Sequence, residues 1–294
     1  MFAQFFGSYL INRGIVTMAQ LSEAFERKKT TRLRLGTIAM NEGVLTAAQV
    51  EEIHQTQMTT DRRFGDIAIE KGYLTKTKLE ELLSGQPSDY LVLGQALADG
   101  GVLTNAALED AIASYKKTNS LTDEDMASDK NDRLSKMISE FYHFENSGNA
   151  QFYTEYVTLL FRNLIRFTGD DFTPLETDMI SRISCENSAS QKIVGKAAYL
   201  TVIDTADAAF GAFAERFAGE EIADNEYRDS SVSEFLNLHN GLFIVNRSND
   251  YGDEYQLTPP VIGKWNTLSF SSIAFSIAVA YSFGMVRFLI TEAE

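Results

Sequence analysis

Hydrophobic and polar positions recur along the first third of the chain with a fixed period. The stretch RLGTIAMNEGVLTAAQVEEIHQTQ, Arg34 to Gln57, is followed by RFGDIAIEKGYLTKTKLEELLSGQ, Arg63 to Gln86, and their glycines Gly36 and Gly65 stand 29 residues apart. The same step places Gly7 and Gly14 before them and Gly94 and Gly101 after them, so weaker copies flank the central pair. A period of this length predicts stacked supersecondary units. Each unit reads as two short helices. The first runs over Leu35 to Asn41 and ends at Gly43, where a left-handed residue closes the helix. Val44 and Leu45 form an apolar link. Thr46 then caps the second helix, with Gln49 three residues on at capping-box spacing, as Thr17 stands to Gln20. Thr75 and Thr104 keep the cap without the box. Val50 with Ile53, Leu79 with Leu82 and Leu108 with Ile112 are spaced to bury one helix face.

Beyond Tyr115 the pattern stops. KKTNSLTDEDMASDKND is polar and charged, and predicts a solvated connector. A helical pattern follows from Arg133 to Phe144, then a strongly amphipathic helix through Tyr153, Val157, Leu160 and Leu164. After Pro174 a polar stretch precedes KIVGKAAYLTVID, which reads as a strand, and ADAAFGAFAERFAG, which reads as a helix. Ser231 to Asn246 predicts a further helix and Ser248 to Glu254 a polar loop, and the paired prolines of LTPPVIG break regular structure. Leu268 to Val286 carries no charge, which raises a membrane span. Ile273, Phe275, Ile277, Val279 and Tyr281 alternate with small residues, however, and period two predicts a strand, turning at Gly284 into another over Met285 to Thr291.

These elements predict an all-α helical repeat domain over residues 1–116, a polar linker over 117–132, and an α/β (α+β) domain over 133–294 with helices on a mainly antiparallel sheet. Composition agrees with two ordinary globular domains: 294 residues, 44% hydrophobic. A net charge of −15 argues against non-specific binding to DNA or RNA. The single cysteine, Cys185, fits a small buried residue in a reducing compartment. The aromatic opening Met1 to Leu10 lacks a basic start, and the expected location is cytoplasmic.

The copies differ where chemistry is concentrated. Arginine precedes the first glycine by two residues only in the middle copies, at Arg34 and Arg63; the outer copies have Phe5 and Val92. Only the middle copies end in glutamine, Gln57 and Gln86. Paired arginines suit a ligand with two similar halves, since the guanidinium fork matches phosphate oxygens and the O6/N7 edge of guanine. A purely structural array is the alternative. The two copies and the spacer Met58 to Arg62 resemble the cyclic di-GMP-binding motif of the MshE N-terminal (MshEN) family of secretion and pilus ATPases. That resemblance implies one half-site at Arg34, Leu35, Gly36, Gly43 and Gln57 and another at Arg63, Phe64, Gly65, Gly72 and Gln86, with cyclic di-GMP as ligand. Phe64 departs from the leucine of the pattern, and His54 replaces a late leucine.

A second constellation lies in the helix around Ser231. Glu234 and Asn237 stand three apart and share a face. An amide can orient a water while a carboxylate grips a cation, and positioning an in-line water is much of what a protein supplies to phosphoryl hydrolysis. Alone, such a pair is ordinary helix surface. EFLNLHNGLFIVN with LTPPVIG and GKAAYLTVIDTADAAFGAFAERFAG is similar to the CheX/CheC/FliY chemotaxis phosphatases. This resemblance implies that Asn237 positions the water attacking the aspartyl-phosphate of a CheY-like receiver and that Glu234 holds a receiver lysine. Magnesium would come with the receiver, so no metal site of its own is implied. Glu155 with Thr158, lacking the asparagine, implies no second site. CheX-like proteins pair as dimers, which implies a homodimer through the C-terminal domain. His239, beside the pair, reads as an exposed helix residue, and His143 gives no signal. The combined expectation is a bacterial signalling protein in which cyclic di-GMP controls a CheX-like phosphatase. The competing expectation is a non-enzymatic, cyclic di-GMP-responsive adaptor with an inactive CheX-like fold.

Overall fold

The computed structural model describes residues 1–85, 88–122, 125 and 131–293. Its chain divides into two compact units, Met1–Asn131 and Asp132–Glu294. Of the stretch expected to be a linker, residues 123–124 and 126–130 lie outside the described residues.

The first unit contains α1 (Phe2–Asn12), α2 (Met18–Lys28), α3 (Leu35–Asn41), α4 (Ala47–Thr60), α5 (Phe64–Glu70), α6 (Lys76–Ser84), α7 (Asp89–Asp99) and α8 (Asn105–Thr118). Between the members of successive pairs, Gly14, Gly43, Gly72 and Gly101 adopt φ of +65, +64, +73 and +70°. A Cβ there would meet nothing within 4 Å, so conformation rather than space calls for glycine. Thr17 and Thr46 form complete capping boxes with Gln20 and Gln49, while Thr75 and Thr104 accept only the backbone N–H of Lys78 and Ala107. The middle helices enclose one cluster of Ala39, Met40, Val50, Ile53, Ile67 and Leu82. The outer helices gather around Phe6, whose ring centroid lies 6.0 Å from Tyr90 and 5.2 Å from Tyr115.

The second unit begins with α9 (Asn131–Phe141), a 3-10 turn (Phe144–Asn146) and α10 (Ala150–Phe167). There follow β1 (Thr173–Leu175), β2 (Ile180–Gly195), β3 (Ala198–Thr205), α11 (Asp207–Ala218), α12 (Asn225–Tyr251), β4 (Tyr255–Leu257), β5 (Val261–Tyr281) and β6 (Gly284–Ala293). The six strands form one antiparallel sheet in the order β1-β5-β6-β3-β2-β4. In addition, the first half of β5 pairs with β2, from Ser190↔Val261 to Ile180↔Ala274. One face of the sheet carries the helices: Phe288 lies near Phe213 and Phe235, and Phe275 packs edge-on to Phe144. The other face holds a small core of Ile183, Cys185, Val202 and Leu289, with Leu268 and Phe270 of the long β2–β5 ribbon packed on it. Strand period thus holds through residues 274–279, all buried, because the large residues meet helices and the small ones lie on the opposite face. No helix among the described residues is long and apolar enough to cross a membrane.

Three expectations are corrected. The polar stretch after Pro174 is mostly strand: Ile183, Cys185 and Ala189 are buried on β2 while Arg182 and Ser184 are exposed, a period-two pattern hidden by short polar side chains. The run KIVGKAAYLTVID is two strands, not one, joined at the Gly195–Ala197 turn. The helix expected over Ser231 to Asn246 extends from Asn225 to Tyr251, taking in half of the expected loop. It starts where the Asp224 carboxylate accepts the N–H of Tyr227 and stops where Gly252 turns left-handed at φ +69°.

Candidate functional site

The long helix α12 positions the second constellation. Val232, Phe235, Leu236 and Phe243 are fully or almost fully buried, which fixes the rotation of the helix on the sheet. Glu234 is left exposed and Asn237 half-buried on the outward face. Both line a groove of about 590 Å³ together with Glu226, Asp229, Pro260 and Lys264. Acidic groups dominate this groove, because Lys264 is paired with Asp229 at 2.7 Å. The Glu234 carboxylate has no hydrogen bond or ion pair among the described residues, so it is available to a cation. Asn237 is held: its Oδ1 accepts a hydrogen bond from Gln191 Nε2 at 2.8 Å. Gln191 Nε2 also donates to the carbonyl of Thr258, and Gln191 Oε1 accepts from Asn240 Nδ2, both at 2.8 Å. Tyr156 closes the chain by donating to Asn240 Oδ1 at 2.9 Å.

His239 is not the exposed residue expected from the sequence. It is completely buried, 3.0 Å from Asn163 Nδ2 through Nδ1 and edge-on to the Tyr156 ring at 4.5 Å. Burial pushes its pKa from 6.5 down to about 3, so the ring is neutral and belongs to the core. Two residues beyond Asn237, it is turned about half a helical turn from the outward face, a rotation that composition does not reveal. Cys185 is buried as expected, and burial, with Asp204 beside it, pushes its thiol up to about 12.

Glu155, on α10, is occupied elsewhere. Its carboxylate pairs with Arg247 at 2.9 Å and accepts from Tyr251 and Gln151. Arg247 also binds Asp253, and its guanidinium lies 4.0 Å above the Tyr251 ring. Thr158 is buried and donates to the Thr154 carbonyl.

In the first unit the predicted half-site residues have the following surroundings. Arg34 is exposed and pairs with Asp99 at 2.8 Å, and Asp99 also accepts from Gln95. Arg63 is exposed and has no ion pair among the described residues. Leu35 and Phe64 pack on the middle cluster. Gln57 Nε2 donates to the Arg62 carbonyl, its Oε1 lies 3.2 Å from His54 Nδ1, and the His54 ring contacts Phe64. Neighbouring helices pack closely on Gly36 and Gly65. A Cβ at Gly36 would stand 2.8 Å from Val50 and 3.3 Å from Phe64, and one at Gly65 would stand 2.8 Å from Leu79, so these glycines allow helices to approach. Gly43 and Gly72 are the left-handed helix ends already described. Gln86 lies outside the described residues. Gly36 and Phe64, one from each half-site, face each other; no other cross-pair of the two sets is drawn together by a hydrogen bond or ion pair among the described residues.

Sequence reasoning missed Gln191, Asn240 and Tyr156. Gln191 is 46 residues from the asparagine it holds and lies at the end of the stretch read as polar, just before the run read as a strand. Only the fold makes them neighbours.

No family model matches the chain, and no curated protein matches it in sequence. Solved structures match in fold over about half of it. A chemotaxis protein CheX from Desulfovibrio desulfuricans is 18% identical over 49% of this chain and 99% of that one, with a TM-score of 0.42. A CheC-like superfamily protein from Shewanella sp. PV-4 is 17% identical over 50% and 99%, with a TM-score of 0.43. A chain of the CheX–CheY–BeF3–Mg2+ complex from Borrelia burgdorferi is 14% identical over 49% and 98%, with a TM-score of 0.43.

Proposed function

We propose that the C-terminal unit hydrolyses the aspartyl-phosphate of a CheY-like receiver, and that cyclic di-GMP bound by the N-terminal unit controls it. One observation carries the first half of this reading. An unpaired carboxylate, Glu234, and an amide of fixed orientation, Asn237, stand together on one helix face at the edge of an acidic groove. Glu234 would grip a lysine of the receiver. Asn237 would hold a water in line with the acyl phosphate, so that the new P–O bond forms as the bond to the receiver's aspartate breaks and that carboxylate leaves. The magnesium needed would reside on the receiver. Glu155, held by Arg247, offers no equivalent grip, which supports one site per chain.

The ligand half rests on the exposed Arg34 and Arg63, each preceding a short helix. The Asp99 partner of Arg34 would be displaced, or would turn to a guanine edge, when the ligand binds.

Two measurements test the reading. Decay of a CheY-like receiver charged with acetyl phosphate should accelerate on adding the full chain and lose that acceleration in Asn237→Ala. An intact acceleration in that variant rejects the assigned chemistry, and no acceleration of any receiver favours a docking adaptor. Titration calorimetry with cyclic di-GMP should show binding that weakens about ten- to a hundredfold in Arg34→Ala or Arg63→Ala, the effect of losing one charge-assisted contact. Absence of binding by the intact chain removes the ligand half and leaves the groove.

A further inference from the structure

The polarity of the hydrogen bonds beneath Asn237 is determined from two ends. The carbonyl of Thr258 can only accept, so the Gln191 atom 2.8 Å from it is the nitrogen. Independently, the Thr201 hydroxyl donates to the Gln191 backbone carbonyl at 3.0 Å, so its oxygen accepts, and the Asn240 atom 2.8 Å away is also nitrogen. Asn240 therefore turns its oxygen to Tyr156, whose buried hydroxyl stays protonated, and its nitrogen to Gln191 Oε1. Both anchors give the same result: Gln191 presents N–H to Asn237. The Asn237 atom facing it must then be the oxygen. Turning Asn237 over would set two amide nitrogens against each other in a buried place and forfeit the bond.

We infer that Gln191 is a positioning residue, which with Asn240, Tyr156 and Thr201 locks the Asn237 amide so that its N–H groups face the groove and one oxygen lone pair remains for a bound water. The inference deepens the phosphatase reading and rests on it for its kinetic consequence, although the orientation itself does not depend on any receiver. A water held this way accepts from Nδ2 or donates to the free lone pair of Oδ1, with its attacking lone pair left for phosphorus. An amide free to flip would present the wrong partner half of the time.

The test uses the full chain labelled with nitrogen-15, with the Asn237 side-chain signal identified by its loss in Asn237→Asp. The Asn237 NH2 should exchange rapidly with solvent, while those of Gln191 and Asn240 are protected. In Gln191→Glu the carboxylate only accepts, so Asn237 should turn its nitrogen inward and its NH2 should become protected. Gln191→Met, which keeps the side-chain length without a donor, serves where the charged variant does not fold. There the Asn240 NH2 should lose protection. With the acetyl phosphate-charged receiver, Gln191→Met should lower kcat about tenfold or more with KM little changed, since small misplacements of a positioning group cost up to roughly a hundredfold. An Asn237 NH2 as protected as that of Gln191 in the unaltered chain overturns the inference, as does an unchanged kcat in Gln191→Met. If no receiver is accelerated, the phosphatase reading fails, and the exchange pattern still decides the orientation.

Discussion

Acidification should unfold the C-terminal unit through His239. The ring is fully buried and takes a hydrogen bond from Asn163 on Nδ1, and burial pushes its pKa down to about 3 from the ordinary histidine value of 6.5. Folded and unfolded states both hold it neutral above pH 6.5, so it costs nothing there. As pH falls below 6.5 the unfolded chain binds a proton that the folded chain refuses. Stability is then lost at about 1.4 kcal/mol per pH unit until the folded pKa is reached. At pH 4.5 the loss from this group alone is about 2.7 kcal/mol, a large fraction of the stability of an ordinary domain. His239→Gln keeps an amide for Asn163 and removes the titration. Urea titrations at several pH values, followed by hydrogen exchange of peptides from α12, report on this unit by itself. Both proteins share the carboxylate contributions, so the slope of stability against pH should be steeper in the parent chain by about one proton between pH 6 and 4. Parallel slopes would refute the reasoning, because they would mean that the ring is protonated, or hydrated, in the folded state.

Further expectations concern the rest of the chain. Gly43→Ala should destabilise the first unit by about 1–2 kcal/mol, the cost of a left-handed residue with a Cβ, with Gly43→Asn costing less; equal melting curves for glycine and alanine would count against the φ of +64°. Arg247→Met removes a partner shared by Glu155 and Asp253, the latter 7% exposed, and should cost about 3 kcal/mol in urea unfolding even with Lys196 still beside Asp253. The Cys185 thiol, pushed up to about 12 by burial, should react with a thiol reagent at pH 8 only on unfolding; rapid labelling of the native chain would place it at the surface instead.

The local part of this structure was legible in the sequence. Thr17, Thr46, Thr75 and Thr104 cap helices because a hydroxyl reaches an N–H three residues away, a relation that spacing alone expresses. Gly14, Gly43, Gly72 and Gly101 turn left-handed because no other residue does so without cost. The alternation over residues 273–281 marked a strand for the same short-range reason. That Glu234 and Asn237 share a face follows from helical period. Tertiary structure decided what period cannot express. Short polar residues concealed β2, whose pairing with β5 across some 80 residues is what gives its apolar positions a core to face. The rotation of α12 on the sheet buried His239 and left Glu234 free, because Phe235, Leu236 and Phe243 fill the interior from one side. Sequence does not say what Gly36 and Gly65 meet; in the folded chain Val50 and Leu79 pack where their Cβ atoms would stand. The orientation of Asn237 depends on a glutamine from one strand, the carbonyl of Thr258 just past another, and a threonine, an asparagine and a tyrosine from three further elements. Hydrogen-bond polarity is set by which groups meet, and folding alone determines that.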